Sequence, residues 1–306
     1  MDLSSVIAQM GILLAIITVG FLAAKARVFP EGTERVLAQL VIVVTNPCTV
    51  LHSALSTERA LSNGEVLLLT AIALGGFALM VGVGQALPRL LRVPRGEFGL
   101  YCFMATFSNM GFMGFPVVRA LYGAGAVFYA AIFNLVFQFV VYTYGASLLA
   151  PREGRERVSW RVLFSPIILA SLLAYACYLT GLRVAQPVTD GLGMLGAVTS
   201  PVSMLVIGIA LSRVPVKNVF TNWRLCAISL FRLLVLPVAA FLALRPFVTN
   251  ELMLGITVVM LGMPIATLST LLSAKYGRDQ SLAASGVFLS TLLSFATIPL
   301  LMWLLF

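Results

Sequence analysis

Ala105-Thr106-Phe107-Ser108-Asn109-Met110-Gly111-Phe112-Met113-Gly114-Phe115-Pro116-Val117-Val118 stands in the middle of the fourth hydrophobic stretch of the chain. Its apolar flanks predict a helix that crosses a membrane. Yet Asn109, Gly111, Gly114 and Pro116 fall within eight residues near mid-bilayer depth. Proline removes a backbone donor and clashes with the preceding turn, and glycine loosens a helix. In hydrocarbon each freed backbone group costs several kcal/mol unless protein or water satisfies it. Two readings follow. The break lines a protected cavity of the kind that binds a solute in transporters, or it is a packing kink, since small residues and proline are common in membrane helices.

The composition decides the setting. Of 306 residues, 60% are hydrophobic and only 10% charged, against roughly 25% charged in a soluble domain. Mean hydropathy is +1.03. An all-α polytopic membrane protein is expected, with lipid as its surroundings. The net charge of +9 does not signal nucleic acid, because the basic residues are scattered singly between apolar runs and form no basic face. Cys48, Cys102, Cys177 and Cys226 lie inside apolar runs without metal-ligand spacing, so no disulfide, metal or cofactor is expected. The first stretch carries Asp2 and no basic n-region, and it reads as a retained helix rather than a signal peptide.

A 19-residue window predicts ten membrane stretches, near 5–24, 37–54, 66–87, 99–120, 126–149, 162–180, 190–211, 224–244, 252–274 and 281–305. Loops after odd-numbered stretches hold Lys25, Arg27, Arg35, Arg89, Arg92, Arg95, Arg152, Arg155, Arg157, Arg161, Arg213, Lys217, Arg224, Lys275 and Arg278. Loops after even-numbered stretches hold only Arg59, Arg119, Arg183 and Arg245. Positive charge stays cytoplasmic, so both termini are expected on the outer side and the 150–161 loop inside.

The halves also repeat. At a shift of 154 residues, Thr45-Asn46-Pro47-Cys48-Thr49-Val50-Leu51 falls on Thr199-Ser200-Pro201-Val202-Ser203-Met204-Leu205, and the Tyr122-Gly123 pair falls on Tyr276-Gly277. The interrupted run at 109–116 falls on Met263-Pro264-Ile265-Ala266-Thr267-Leu268-Ser269-Thr270, itself broken by proline. Five stretches per half is odd, so the second half must insert upside down. Residues 1–155 and 156–306 are then two inverted five-helix repeats, whose paired broken helices point to a binding site.

These motifs resemble the auxin efflux carrier family, which includes bacterial dicarboxylate-type permeases and the plant auxin transporters. The resemblance rests on Asn46-Pro47, on Ser108-Asn109 through Gly114-Phe115-Pro116, and on Gly262-Met263-Pro264 with Ala274-Lys275-Tyr276-Gly277. It covers essentially the whole chain, and the short loop near residue 155 resembles the bacterial members. The resemblance implies a fold similar to bile-acid/sodium symporters. Stretches 1, 2, 6 and 7 would form a scaffold and homodimer interface, and stretches 3–5 and 8–10 a moving transport domain. Stretches 4 and 9 would cross at their breaks beside the substrate. It further implies elevator-type transport of small organic anions (carboxylates, dicarboxylates or auxin-like acids) across the bacterial cytoplasmic membrane.

Several residues suit that chemistry. Asn109 at the break offers amide donors and an acceptor, and half-helix N-termini add positive dipole ends. It would bind substrate, or merely satisfy broken backbone. Gly111, Gly114 and Pro116 would shape the crossing from one repeat, and Pro264, Thr267 and Ser269 from the other. Asn134 and Gln138 lie four apart on one helix face, either facing the site or hydrogen-bonding a neighbouring helix. Asn46 would face the site or support a kink at Pro47. Arg232 is the one formal charge placed well inside a stretch, as a counter-ion for an anion or as an arginine about eight residues from the cytoplasmic end that snorkels towards it or bonds carbonyls.

All eleven acids fall in loops or at stretch ends, and the sole histidine is His52. An intramembrane enzyme, which needs paired acids, a Ser/His set or a His-based metal site, is therefore not expected. A channel would be expected to show charge rings or a carbonyl filter, and neither is present. A sodium- or proton-coupled symporter of organic acids is the alternative reading, since carbonyls at helix breaks hold sodium in some transporters.

Overall fold

A computed structural model describes residues 3–56, 61–150, 164–182, 184–214, 219 and 221–306. Arg59, the arginines of the 150–161 loop, Arg183 and Lys217 lie outside the described residues. Every regular element described is helical. In chain order they are α1 (Leu3–Lys25), α2 (Thr33–Ser56), α3 (Asn63–Leu90), α4 (Phe98–Thr106), α5 (residues 110–122), α6 (Ala126–Leu149), α7 (Pro166–Thr180), α8 (Gln186–Ser212), α9 (Trp223–Leu244), α10 (Glu251–Leu261), α11 (Leu268–Lys275) and α12 (Gln280–Leu305). Seven of them are long and apolar enough to cross a membrane: α1, α2, α3, α6, α8, α9 and α12. The other three of the ten expected stretches contain shorter helices. The sixth is α7, and the fourth and ninth are each divided by non-helical backbone.

Proline shapes these helices in a regular way. Wide π turns at Val41–Thr45, Met110–Gly114 and Phe231–Val235 sit directly before Asn46-Pro47, Phe115-Pro116 and Leu236-Pro237. A proline ring displaces the carbonyl one turn earlier, and a π turn absorbs that displacement without ending the helix. Pro116 is thus carried inside α5. The sequence places the interruption over 109–116; the chain leaves the helix at the start of that run, at Phe107–Asn109, and restarts at Met110. Pro264, in contrast, lies within its break, between α10 and α11.

The packing partners come in related pairs. α1 packs along the second half of α8, and α2 packs against α7. α3 packs on α4 and α6, as α9 does on α10 and α12. α5 packs on α6, as α11 does on α12. The α1–α8 approach needs two glycines. A Cβ at Gly208 would lie 2.1 Å from the Ile17 carbonyl oxygen, and one at Gly20 would lie 2.6 Å from that of Leu205. Small residues let helix backbones close in where lipid supplies no hydrophobic drive. Thr49 and Thr199 join their hydroxyls at 2.7 Å between α2 and α8. Two arginines of the basic loops close helix ends: Arg224 Nε donates to the Leu91 carbonyl beyond α3 at 3.1 Å, and Arg278 Nε to the Leu149 carbonyl of α6 at 2.8 Å. Cations suit the negative C-terminal ends of helices.

Candidate functional site

The two breaks meet. Asn109 N–H donates to the Pro264 carbonyl at 2.8 Å, and Ala266 N–H donates to the Phe107 carbonyl at 3.0 Å. Ser108 and Ile265 form an antiparallel bridge between these bonds. Each break thus satisfies part of the other's backbone. Ile265 N–H finds the Ser290 hydroxyl on α12 at 3.0 Å, and the Met263 carbonyl accepts from Arg232 Nε at 3.0 Å. This is how irregular backbone is tolerated at membrane depth.

The helix ends at the breaks divide by polarity. The C-terminal ends of α4 and α10 converge on Arg232, which is 1% exposed. Its Nη1 donates to the carbonyls of Ala105 at 2.7 Å and Met104 at 3.4 Å, and its Nη2 donates to the Ser108 hydroxyl. The N-terminal ends of α5 and α11 face the opposite way, into a cavity of about 100 Å³ lined by Asn109, Met110, Gly111, Thr267 and Leu268. The first amides of a helix have no partner within it and carry the positive end of its dipole, so they attract anions.

Polar side chains complete that cavity. Asn46 of α2, Asn134 and Gln138 of α6, Ser108 of the first break and Ser165 before α7 all line it. Asn46, Asn109 and Asn134 are 4%, 3% and 1% exposed. Asn46 Oδ1, Asn109 Nδ2, Asn134 Oδ1 and Ser165 Oγ are buried without a hydrogen-bond partner among the described residues. An unpaired buried polar atom costs about 1–3 kcal/mol, so four in one cavity favour a polar occupant. Two of the asparagines flank Gly111, where a Cβ would lie 3.6 Å from Asn134 Oδ1 and 3.7 Å from Asn46 Nδ2. An asparagine can turn either its donor or its acceptor end to a ligand. Ile42, Phe112, Phe137 and Leu271 supply an apolar wall. Among the described residues no lysine, arginine, histidine, aspartate or glutamate lines the cavity.

Of the residues singled out in the sequence, Asn46, Asn109, Gly111, Asn134, Gln138 and Thr267 are brought together here, and five are not. Gly114 faces Met260 of α10, at 3.1 Å from a built Cβ to the sulfur. Pro116 is buried inside α5. Pro264 contributes its carbonyl to the bridge. Ser269 is buried in α11 with its hydroxyl unpartnered among the described residues. Arg232 does not line the cavity; its donors go to three carbonyls and the Ser108 hydroxyl. Ser108 and Ser165 were not singled out as ligands. Ser108 was readable as a neighbour of Asn109 at the break, whereas Ser165 carries no local signal beyond preceding Pro166.

Residues 5–302 match the family model described as "Membrane transport protein". The chain belongs to the membrane transport protein family. This is the family of auxin efflux carriers that its motifs resemble. Similar proteins include an uncharacterized transporter of Methanocaldococcus jannaschii, 24% identical over 304 residues and covering 96% of this chain and 97% of that protein. Another, of Methanothermobacter thermautotrophicus, is 26% identical over 289 residues, with 94% of each chain covered. A protein of Rhizobium meliloti provisionally named a malonate transporter is 23% identical over 238 residues, covering 75% of this chain and 73% of that one. The protein is a multi-pass membrane transporter.

Proposed function

We propose that the chain is a secondary transporter of small organic anions, binding a carboxylate in the cavity beside the paired breaks. One observation carries this reading: two helix N-termini and three buried asparagines with unpaired atoms face a single cavity in a member of a transport family. The amides would bind the carboxylate by hydrogen bonds and the helix dipoles would balance its charge. The apolar wall would hold the carbon skeleton. The name of the Rhizobium relative makes malonate and similar short dicarboxylates the first candidates.

The paired packing of α1–α8 with α2–α7, and of α3–α4 with α9–α10, supports two inverted five-helix repeats covering residues 1–155 and 156–306. On that reading α1, α2, α7 and α8 form the scaffold of a homodimer. The transport domain, α3–α6 with α9–α12, carries the breaks and moves as an elevator. Asn46 belongs to the scaffold, and Asn109, Asn134 and Thr267 to the transport domain, so the substrate lies where the two slide. The basic loops hold the cytoplasmic side of a bacterial inner membrane, with both termini outside.

Purified protein, melted in the presence of malonate, longer dicarboxylates and aromatic acids, tests the binding step. Ligand that binds only the folded state raises the melting temperature by mass action, by about 2.7 kcal/mol of stability at a hundredfold excess over Kd. A rise with one acid class, together with uptake of that acid into proteoliposomes, is the expected result. No shift with any carboxylate, and uptake equal to that of empty vesicles, would refute the assignment.

A further inference from the structure

Arg232 sits in an oxygen cage to which, among the described residues, no acid contributes. Its recorded acceptors are the carbonyls of Met263, Ala105 and Met104 and the hydroxyl of Ser108. The salt bridges among the described residues, Arg213–Glu34 and Arg245–Glu251, are both exposed and do not involve it. Two of the carbonyls close α4 and one follows α10. In transporters with broken helices, such unwound carbonyls and half-helix C-terminal ends are what hold a coupling cation. Here those lone pairs are engaged by a guanidinium that keeps its charge in proteins and reaches several acceptors with one rigid fork.

Ser108 links this cage to the cavity. It lines the cavity, and its oxygen accepts from Arg232. A hydroxyl that accepts one hydrogen bond still has its own hydrogen to donate, and a charged donor behind it polarises that hydrogen. Among the described residues the other polar groups of the cavity are neutral amides and hydroxyls, so this relay brings a full positive charge to bear on the site.

We propose that Arg232 is a resident cation, held in the oxygen cage between the two breaks, which aims and strengthens Ser108 as a donor to the bound anion and makes a co-bound metal cation unnecessary. Arg232 is then a positioning residue and Ser108 a ligand-binding one. This rests on the carboxylate-binding reading above, but half of its test needs no substrate.

The substrate-free half melts Arg232→Ala in detergent with and without guanidinium, far below denaturing concentrations. Removing one partner from a buried charged network should lower the melting temperature by roughly 5–15 °C. Free guanidinium should restore at least half of that fall while leaving the wild type unchanged. The second half titrates malonate. Ser108→Ala should melt several degrees below the wild type, because Arg232 Nη2 loses its acceptor while the three carbonyls remain, but fall less than Arg232→Ala, and it should bind about tenfold more weakly. Arg232→Ala should also bind more weakly and recover with guanidinium. The double variant should lose no more affinity than the worse single one, since both act through one relay.

Wild-type binding should be equal in sodium and choline salts. The proposal falls if guanidinium fails to restore Arg232→Ala, if Ser108→Ala binds as the wild type, or if wild-type binding requires sodium. Should Arg232→Ala not fold, Arg232→Lys takes its place. It keeps the charge without the fork and should fold with a lower melting temperature and weaker binding, and wild-type values for both would equally refute the proposal. If no carboxylate binds at all, the carboxylate reading fails, while guanidinium rescue of the ligand-free variant still decides the resident cation.

Discussion

Asn109→Ala separates a binding asparagine from a structural one. The Asn109 backbone ties the breaks together: its N–H donates to Pro264, and its carbonyl accepts from Met113 N–H at 3.2 Å and Gly114 N–H at 3.0 Å. Its φ of −80° and ψ of 61° suit alanine as well, so these bonds survive the substitution. The side chain is different. Nδ2 is buried without a partner among the described residues, which costs about 1–3 kcal/mol in the empty protein. Alanine removes that cost and loses a few packing contacts. The net change should stay within ~1 kcal/mol, or about 2–4 °C in melting temperature. With a carboxylate bound, the same amide becomes a donor to a charged group worth about 1.5–3 kcal/mol. Its loss should weaken binding by roughly 10–150-fold. Calorimetric titration with malonate reads the affinity, and ligand-free melting reads the stability. An affinity change under about threefold, or a fall of more than about 5 °C without ligand, would refute the reasoning and make Asn109 a structural residue.

Gly111→Ala should put a methyl group between Asn46 and Asn134, leaving melting unchanged or slightly raised, since alanine favours helix, while malonate affinity falls at least about tenfold by titration. Gly208→Val should do the reverse: its Cβ would meet the Ile17 carbonyl at 2.1 Å, so melting should fall by roughly 5 °C or more with malonate affinity retained in the folded fraction. Asn134→Asp sets a carboxyl group, at a position 1% exposed, beside a bound anion; once ionised it repels a like charge ~4 Å away by about 4 kcal/mol, so malonate affinity should fall by at least ~100-fold in titrations at a pH high enough to ionise it, a pH-dependent loss the wild type does not show. A single cysteine introduced at Arg155 should react with an impermeant thiol reagent only from the cytoplasmic side, in a background lacking the four native cysteines; labelling of intact cells from outside would reverse the topology.

Much of this protein was legible in its sequence, because the signals concerned are short in range. Helix formation in a membrane follows from local hydropathy, so the long apolar helices from α1 to α12 could be read residue by residue. Helix interruption follows from local backbone chemistry, so Ser108-Asn109 and Met263-Pro264 announced themselves, as did the shared face of Asn134 and Gln138. The extent of the first break was less legible than its presence. A proline can be carried inside a helix, as Pro116 is after a π turn and Pro88 and Pro299 are without one, and whether the helix breaks depends on what can satisfy freed backbone groups. At Phe107–Asn109 the satisfying groups are Pro264 and Ala266, more than 150 residues away in the chain, and no local pattern encodes that pairing. The same holds for Arg232, whose partners at Met104 and Ala105 are 128 and 127 residues distant. From the sequence alone its charge suited a counter-ion, a snorkelling arginine or a carbonyl-bonding one, with no local signal to choose among them. Sequence determined which residues are polar at membrane depth. Tertiary structure decided that Asn46, Asn109 and Asn134 share one cavity with two helix N-termini while Arg232 takes the C-terminal ends, because the direction of a dipole or a side chain gains meaning only once distant helices meet.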